Sequence, residues 1–101
     1  MGFRKRKFAV IYLIENKKLN KYYVGKSVDC FSRWQSHLQS LFYKKHHNKE
    51  LQEDFDNGHY TDLVFSILKV STAKKIGQLE KVYIEKYKNS GKVLYNKTKG
   101  G

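Results

Sequence analysis

Two tyrosines and an arginine–histidine pair are the residues of this chain whose types and spacing could carry chemistry. Tyr12 and Tyr23 each lie in a short apolar segment rich in valine and isoleucine. Arg33 and His37 are one helical turn apart, so both would lie on the same face of a helix. Arginine presents a planar fork to phosphoryl oxygens, and histidine relays protons near neutral pH. These residues suit phosphate chemistry, but a solvated helix face and ordinary core tyrosines would account for them equally well.

Glu80 is a carboxylate at a position where a helix should be apolar. When residues 76–87 are wound as a helix, Glu80 falls between Ile76 and Ile84 on the apolar face. A carboxylate among apolar side chains loses solvation, so it needs a cation or becomes protonated. Two interpretations stay open on the residues alone: a buried ion pair with a lysine or arginine, and a ligand for a divalent cation such as Mg²⁺.

Three other positions have chemistry-bearing or permissive residues. Gly25 comes at the end of the second tyrosine segment, where a missing side chain permits a turn or a close approach of the backbone to a ligand. His46 and His47 are adjacent, but nothing nearby completes a tetrahedral zinc site. Cys30 has no base at a telling spacing, so a cysteine nucleophile is not predicted.

The elements that would position these residues follow from the apolar periodicity. Phe8 to Glu15 is apolar on both alternating faces, which predicts a buried strand, and Lys21 to Gly25 predicts another. The polar turn between them is short, so the two strands should form an antiparallel hairpin. Asp29 is placed to cap a helix that runs to about residue 41. The predicted apolar stripe of this helix is Phe31, Trp34, Leu38 and Leu41.

The second half of the chain predicts three further elements and a short final apolar segment. With the hairpin and the first helix, their order is ββααβα. That order predicts an α/β protein of the α+β type, in which a small, mainly antiparallel three-stranded sheet is flanked by about three helices. The further elements are a helix from Asn48 to Asn57, a strand over residues 62–70, a helix over residues 72–87 with Thr72 as its cap, and the apolar segment 93–95.

Length and charge limit the kind of protein this is. The 101 residues suit one domain over residues 8–101, preceded by a basic arm over residues 1–7. Lysine and arginine number 21 against 9 acidic residues, a net charge of +12, which indicates a polyanion partner and favours nucleic acid. We expect no membrane partner, because no basic amphipathic helix stands apart from the core. With neither a membrane span nor a signal peptide, a cytoplasmic location is expected.

The motifs resemble, in order and spacing, those of the GIY-YIG nuclease family over about residues 8–100. Val10-Ile11-Tyr12 corresponds to the first signature and Tyr23-Val24-Gly25 to the second. Valine replaces the first glycine of one signature and the central isoleucine of the other. The remaining segments that resemble the family are 33–37 (its arginine and histidine helix), 46–52 (typical of its homing branch), 79–84 (its metal-glutamate helix) and 94–96 (its closing asparagine).

The resemblance implies a divalent-metal-dependent endonuclease acting on DNA, with one Mg²⁺ or Mn²⁺ per active site and no small-molecule cofactor. It implies that Glu80 binds the metal and that Arg33 stabilises charge on the phosphoryl group. It makes Tyr12 a candidate general base or water-positioning residue, with its pKa lowered by a cation such as Lys26. The other implied site residues are Tyr23 and His37, which orient water and phosphate or carry the proton; Asn96, which bonds the site's backbone or the substrate; Gly25, beside the substrate; and His46, a phosphate or water contact.

Three functions follow from this resemblance and stay open. The first is the catalytic domain of a homing-type endonuclease, a monomer or transient dimer in a bacterial or phage-infected cell. Homing members carry a separate DNA-recognition region, so low intrinsic sequence specificity is expected, since phosphate contacts position without specifying. The second is a repair or recombination nuclease that recognises DNA structure. The third is a nucleic-acid-binding module that retains the fold without catalysis.

Overall fold

The hairpin forms the centre of the sheet. A computed structural model describes residues 8–96, so the predicted basic arm over residues 1–7 lies outside the described residues. Strand β1 (Phe8–Asn16) pairs antiparallel with β2 (Lys21–Ser27), as predicted, through a turn in which Asn20 has a φ of 55°. On its other side β1 pairs antiparallel with β3 (Leu63–Thr72), with a register shift between Ile11 and Tyr12.

The sheet has a fourth strand that the sequence did not predict. Strand β4 (Val93–Leu94) pairs parallel with β2, which gives the order β3-β1-β2-β4. The prediction of three strands is therefore wrong by one, while the order ββααβα holds for the strands and α-helices that precede β4; a short 3₁₀ helix (His59–Thr61) lies between the second α-helix and β3. Two residues are too few to display the alternation of a strand. A parallel pairing also joins segments far apart in the sequence, so no local turn signal announces it.

Three helices cover the sheet: α1 (Cys30–Phe42), α2 (Lys49–Asp56) and α3 (Ile76–Asn89). The predicted caps of the first two are confirmed, because Asp29 accepts from the amide of Ser32 and Asn48 accepts from that of Leu51. The third helix begins four residues later than Thr72, since β3 runs on to that residue. No helix within residues 8–96 has the length and apolar character needed to cross a membrane.

Two apolar clusters divide the core between the two sides of the sheet. The first joins both site tyrosines to α1 and α2, and the second packs α3 against alternate residues of β1. The buried members of the first are Tyr12, Ile14, Tyr23, Leu41, Leu51, Phe55 and Tyr95, and those of the second are Ala9, Ile11, Leu13, Val24, Ile76 and Ile84.

Helix α1 presents a different face to the core from the one predicted. Phe31 is 74% exposed and Leu38 is 36% exposed, although both belonged to the predicted apolar stripe. The buried residues of the helix are Cys30, His37 and Leu41. Compared with the prediction, the helix is rotated so that His37 lies in the core in place of Leu38. His37 has hydrogen-bond partners there. The interpretation of His37 as part of a solvated face is therefore wrong.

Candidate active site

The two tyrosines stand side by side on neighbouring strands. Their ring centroids are 6.5 Å apart, and the planes of the two rings are inclined by 25°. Tyr12 is 1% exposed and Tyr23 is 3% exposed. Gly25 lies opposite Tyr12 in the β1–β2 register. A Cβ at Gly25 would overlap the Tyr12 hydroxyl and ring, coming within 2.8 Å of Cε1. Gly25 therefore makes room for the Tyr12 ring, which is a more specific reason for a glycine than close approach to a ligand.

His37 ties helix α1 to the first tyrosine. The Tyr12 hydroxyl oxygen and His37 Nε2 are 2.6 Å apart, a short and buried hydrogen bond. His37 Nδ1 is in turn 2.7 Å from Nε2 of His46. Burial, helped by the neighbouring His46, lowers the pKa of His37 to about 3, so its ring is neutral at physiological pH.

The adjacent histidines His46 and His47 have different surroundings. His46 is buried, and its Nδ1 accepts from the backbone amide of Asn48 at 3.0 Å while Nε2 faces His37. Both ring nitrogens are thus occupied, so the interpretation of His46 as a phosphate or water contact is wrong. His47 is exposed, and its Nε2 lies 3.2 Å from the Tyr23 hydroxyl. Burial lowers the pKa of His46 to about 4 and also lowers the pKa of His47.

Arg33 is the cation that faces both tyrosines. Its guanidinium hydrogen-bonds the hydroxyls of Tyr12 and Tyr23 and, as a positive charge, favours their ionised forms. Burial outweighs this effect and raises the pKa of both tyrosines. The expectation that Lys26 lowers the pKa of Tyr12 is wrong, because Lys26 pairs instead with Glu80 at 3.5 Å.

Glu80 lies on helix α3, which packs on the side of the sheet opposite the tyrosines, and its charge acts on both of them. It is 3% exposed and lies between buried Ile76 and Ile84, so the predicted position within the apolar stripe is confirmed. Burial raises the pKa of its carboxyl group, and Lys26 counteracts this. The Lys26 ammonium is at ion-pair distance, yet Oε1 has no hydrogen-bond partner among residues 8–96.

A divalent cation is chemically suited to this unbonded oxygen. Within residues 8–96, no group of three or more histidine, cysteine, aspartate or glutamate side chains could enclose a metal ion. Mg²⁺ needs no such cage, since it usually keeps several waters and binds one or two carboxylates together with substrate phosphate. Lys26, whose side chain is 46% exposed, has room to move toward solvent when another cation neutralises Glu80. Glu80 is therefore the residue that could hold the metal.

Asn96 hydrogen-bonds the backbone of Val24, which lies between Tyr23 and Gly25 on β2. Its side-chain oxygen accepts from the amide of Val24 at 2.9 Å, and its amide donates to the carbonyl of Val24 at 2.8 Å. This pair of bonds continues, through a side chain, the ladder that β4 begins beside β2. Asn96 therefore fixes the strand that carries Tyr23 and Gly25.

The structure brings most of the predicted site residues together, and it adds some that the sequence analysis missed. Tyr12, Tyr23, Arg33 and His37 form one bonded cluster, and the charge of Glu80 acts on both tyrosines. The missed residues are His47, which contacts Tyr23, Asn48, whose amide bonds His46, and Gln52, whose side chain accepts from the His46 amide at 2.9 Å. A stripe through Cys30, Trp34, His37 and Leu41, also at helical spacing, would have placed His37 inside.

The structure thus brings paired tyrosines, a shared arginine and a buried glutamate together in one small α+β domain. The GIY-YIG catalytic domain matches residues 8–96 of this chain. The chain therefore belongs to the GIY-YIG family, and the resemblance seen in its motifs is confirmed.

Two solved structures show the same fold over nearly the whole chain. One is the catalytic domain of the intron endonuclease I-TevI in a glutamate-to-alanine variant, with a TM-score of 0.81, 26% identity, and coverage of 93% of this chain and 97% of that one. The other is the catalytic domain of the homing endonuclease I-TevI, with a TM-score of 0.78, 29% identity, and coverage of 89% and 98%. No curated protein matches this sequence significantly.

Proposed function

We propose that this GIY-YIG nuclease domain is a metal-dependent DNA endonuclease of the homing type, with low intrinsic sequence specificity. The observation that carries the proposal is Glu80, a buried carboxylate whose Oε1 faces Lys26 but has no hydrogen-bond partner within residues 8–96, and whose charge acts on two tyrosines that share an arginine. A site with this composition favours a phosphodiester over a neutral substrate, because the guanidinium of Arg33 faces only neutral tyrosines and can neutralise phosphate. The homing type is supported by the likeness to the I-TevI catalytic domain.

Each side chain has a part in hydrolysis that its position supports. Glu80 would hold one Mg²⁺ or Mn²⁺, which when bound supplies Lewis-acid polarisation of the phosphate and stabilises the leaving oxygen. Arg33 binds phosphoryl oxygens and holds the hydroxyls of Tyr12 and Tyr23 in place. Tyr12 exchanges a proton with the attacking water or the phosphate, and Lys26 adds positive charge at the rim. The products would be a 5′-phosphate and a 3′-hydroxyl end.

The charge distribution of the chain supports a nucleic-acid substrate. The net charge of +12 is large for 101 residues, and such a protein releases counterions from a phosphate backbone when it binds. This attraction does not depend on base sequence, and neither do contacts made to phosphate alone. A catalytic domain acting through these contacts would cut DNA with little sequence preference.

The experiment is nicking of supercoiled plasmid with Mg²⁺ or Mn²⁺, with EDTA as the metal-free reference. Glu80→Gln keeps the shape of the side chain and removes its charge, so we expect metal-dependent nicking to disappear. Glu85→Gln is the matched control, because Glu85 is an exposed glutamate on the same helix. Nicking by Glu80→Gln at the wild-type rate would show that Glu80 does not hold a catalytic metal.

Other outcomes would point to the two alternative functions. A strong preference for branched or flapped DNA over plain duplex would indicate a repair or recombination nuclease. Salt-sensitive DNA binding without cleavage, equal in the wild type and in Glu80→Gln, would indicate a binding module.

A further inference from the structure

The chain of hydrogen bonds behind Tyr12 has a direction, and a backbone amide sets it. The chain runs from the amide of Asn48 to Nδ1 of His46, from Nε2 of His46 to Nδ1 of His37, and from Nε2 of His37 to the Tyr12 hydroxyl. The three distances are 3.0, 2.7 and 2.6 Å. A backbone N–H can only donate, whereas each imidazole nitrogen donates or accepts according to its tautomer.

The direction at His46 follows from its contact with Asn48. Because Nδ1 of His46 accepts from the Asn48 amide, that nitrogen has no proton. A neutral imidazole carries one proton, so in His46 it must be on Nε2, where it points at His37. A doubly protonated ring would set two donors against each other at Asn48, which burial makes costly.

The same reasoning fixes His37. Its Nδ1 receives the proton of His46 Nε2 and is therefore an acceptor. The single proton of neutral His37 is then on Nε2, and it is donated to the oxygen of Tyr12. If Nε2 of His37 instead accepted a hydrogen bond from Tyr12, the single ring proton of His37 would be on Nδ1. That Nδ1–H and the Nε2–H of His46 would then point at each other, and neither would have an acceptor.

We infer that His46 is a positioning residue that locks the His37 tautomer, so that Tyr12 receives a hydrogen bond from His37 and does not give its own proton to His37. Arg33 also donates to the Tyr12 oxygen. Both donors stabilise a phenolate if one forms, whereas His37 has no free nitrogen to take the proton. Any proton that Tyr12 gives up in the reaction must therefore go to a group other than His37. This consequence for catalysis rests on the proposed nuclease function, but the tautomer itself does not.

The locked tautomer assigns different roles to the two histidines that sequence analysis treated as possible proton carriers or ligands. His37 becomes a hydrogen-bond donor, not a base, and His46 acts only through His37. Gln52 supports this arrangement, because it accepts from the His46 amide and donates to the Leu41 carbonyl at 3.0 Å. The loop that carries His46 is thereby tied to the end of helix α1.

The test is a nitrogen-15 NMR spectrum of the histidine rings in the whole chain, without DNA or metal, near neutral pH. We expect His37 and His46 each to show a protonated Nε2 and an unprotonated Nδ1. A proton on Nδ1 of His37, or a doubly protonated ring at either residue, would overturn the inference. Because the spectrum needs no cleavage, failure of the nuclease function would leave this result standing, and the reverse also holds.

A pair of neighbouring variants tests whether His46 is the residue responsible. His46→Gln presents an amide that can turn either way, so we expect the Nδ1–H form of His37 to appear beside the Nε2–H form. His47→Gln, the matched control in the same loop, should leave the His37 spectrum unchanged. In DNA cleavage, His46→Gln should lower kcat by about 10-fold to 100-fold with KM nearly unchanged, because the defect lies in proton exchange.

One result of the variant pair would contradict the role of His46. An unchanged His37 spectrum in His46→Gln would show that another contact fixes the tautomer. If His46→Gln does not fold, the wild-type spectrum alone still decides whether the Nε2–H forms exist.

Discussion

Tyr12 and Tyr95 are buried on the same side of the sheet, but the polar groups around their hydroxyls differ. Tyr95 is fully buried, donates its hydroxyl proton to Asp54 at 2.8 Å and accepts from Asn16 at 3.1 Å. Lys21 pairs with Asp54 at 3.0 Å and with Glu50 at 2.9 Å, so each carboxylate of this cluster has a cationic partner within it. We call Asn16, Lys21, Glu50, Asp54 and Tyr95 the closed cluster.

The cluster around Tyr12 is left incomplete by comparison. His37 and Arg33 bond the Tyr12 oxygen, but the Glu80 Oε1 has no hydrogen-bond partner within residues 8–96. Burial raises the pKa of Tyr12 and of Tyr95 alike, so burial alone does not make a reactive tyrosine. The difference lies in the partners: a complete set stabilises the fold, and an incomplete set leaves donors and acceptors for a substrate.

The largest effect expected from this comparison is on cleavage when the hydroxyl of Tyr12 is removed. Tyr12→Phe should lower the cleavage rate by about 10² to 10⁴-fold, since a positioned proton-transfer group contributes that much. Stability should also fall, by about 1–3 kcal/mol, because the buried His37 Nε2 loses its hydrogen-bond partner, so the two rates are compared below the lowered melting temperature. The measurement is plasmid nicking at saturating Mg²⁺, with melting followed by circular dichroism. A rate within a factor of three of the wild type would mean that Tyr12 is only a structural tyrosine.

A change at Gly25 should damage the site through packing alone. Gly25→Ala puts a methyl group into the space of the Tyr12 ring, so we expect a loss of about 1–3 kcal/mol in unfolding free energy and reduced cleavage. Gly77→Ala is the matched control, because its added Cβ would be 3.9 Å from Lys26 Nζ, an ordinary van der Waals separation. In the first turn of α3 that change should stabilise by less than about 1 kcal/mol, because alanine loses less backbone entropy than glycine on folding. Denaturant unfolding of both variants makes the comparison, and equal effects would contradict the role of Gly25.

The closed cluster should show the reverse behaviour from the Tyr12 site. Tyr95→Phe removes the hydroxyl between Asp54 and Asn16, which leaves a buried acceptor and a buried donor without that partner. We expect a loss of about 1–3 kcal/mol in unfolding free energy, with a fall in melting temperature of ~4–8 °C per kcal/mol. Cleavage below the lowered melting temperature should stay close to wild type. A large loss of cleavage in a folded Tyr95→Phe would show that the closed cluster also contributes to catalysis.

The smallest effect is expected on the stability of the fold near neutral pH, to which the buried histidines His37 and His46 contribute. The pKa values of His37 and His46 are about 3 and about 4 in the folded protein, below the usual 6.5, because burial disfavours their charged forms. The unfolded chain therefore binds more protons below 6.5, so stability is complete above that pH and is lost as pH falls through about 4 and about 3. Burial raises the pKa of Glu80, which opposes this loss.

Urea unfolding of wild type and His46→Gln across this range would measure the effect. The variant lacks one of the two titrating rings, so its stability should fall less steeply with decreasing pH. Identical slopes in the two proteins would show that His46 does not contribute.

Much of the fold was predictable because it depends on local patterns. The hairpin follows from a short polar turn between two apolar segments, and Asp29 and Asn48 cap their helices through bonds to amides three residues on. The stripe that buries Glu80 is also local, since a helix places Ile76 and Ile84 one turn away on either side. The short β4 strand was missed because its partner β2 is distant in sequence.

The amino-acid sequence by itself determined the residue types of the site, the order of the elements and the positive charge. Only the tertiary structure decided how these residues are used. Lys26 could have faced Tyr12 or Glu80, and it pairs with Glu80 because α3 packs beside the end of β2. His37 faces inward because the loop at His46 offers it a hydrogen-bond partner there. Such choices depend on which polar groups meet after burial, and helical or strand periodicity has no information about partners from other elements.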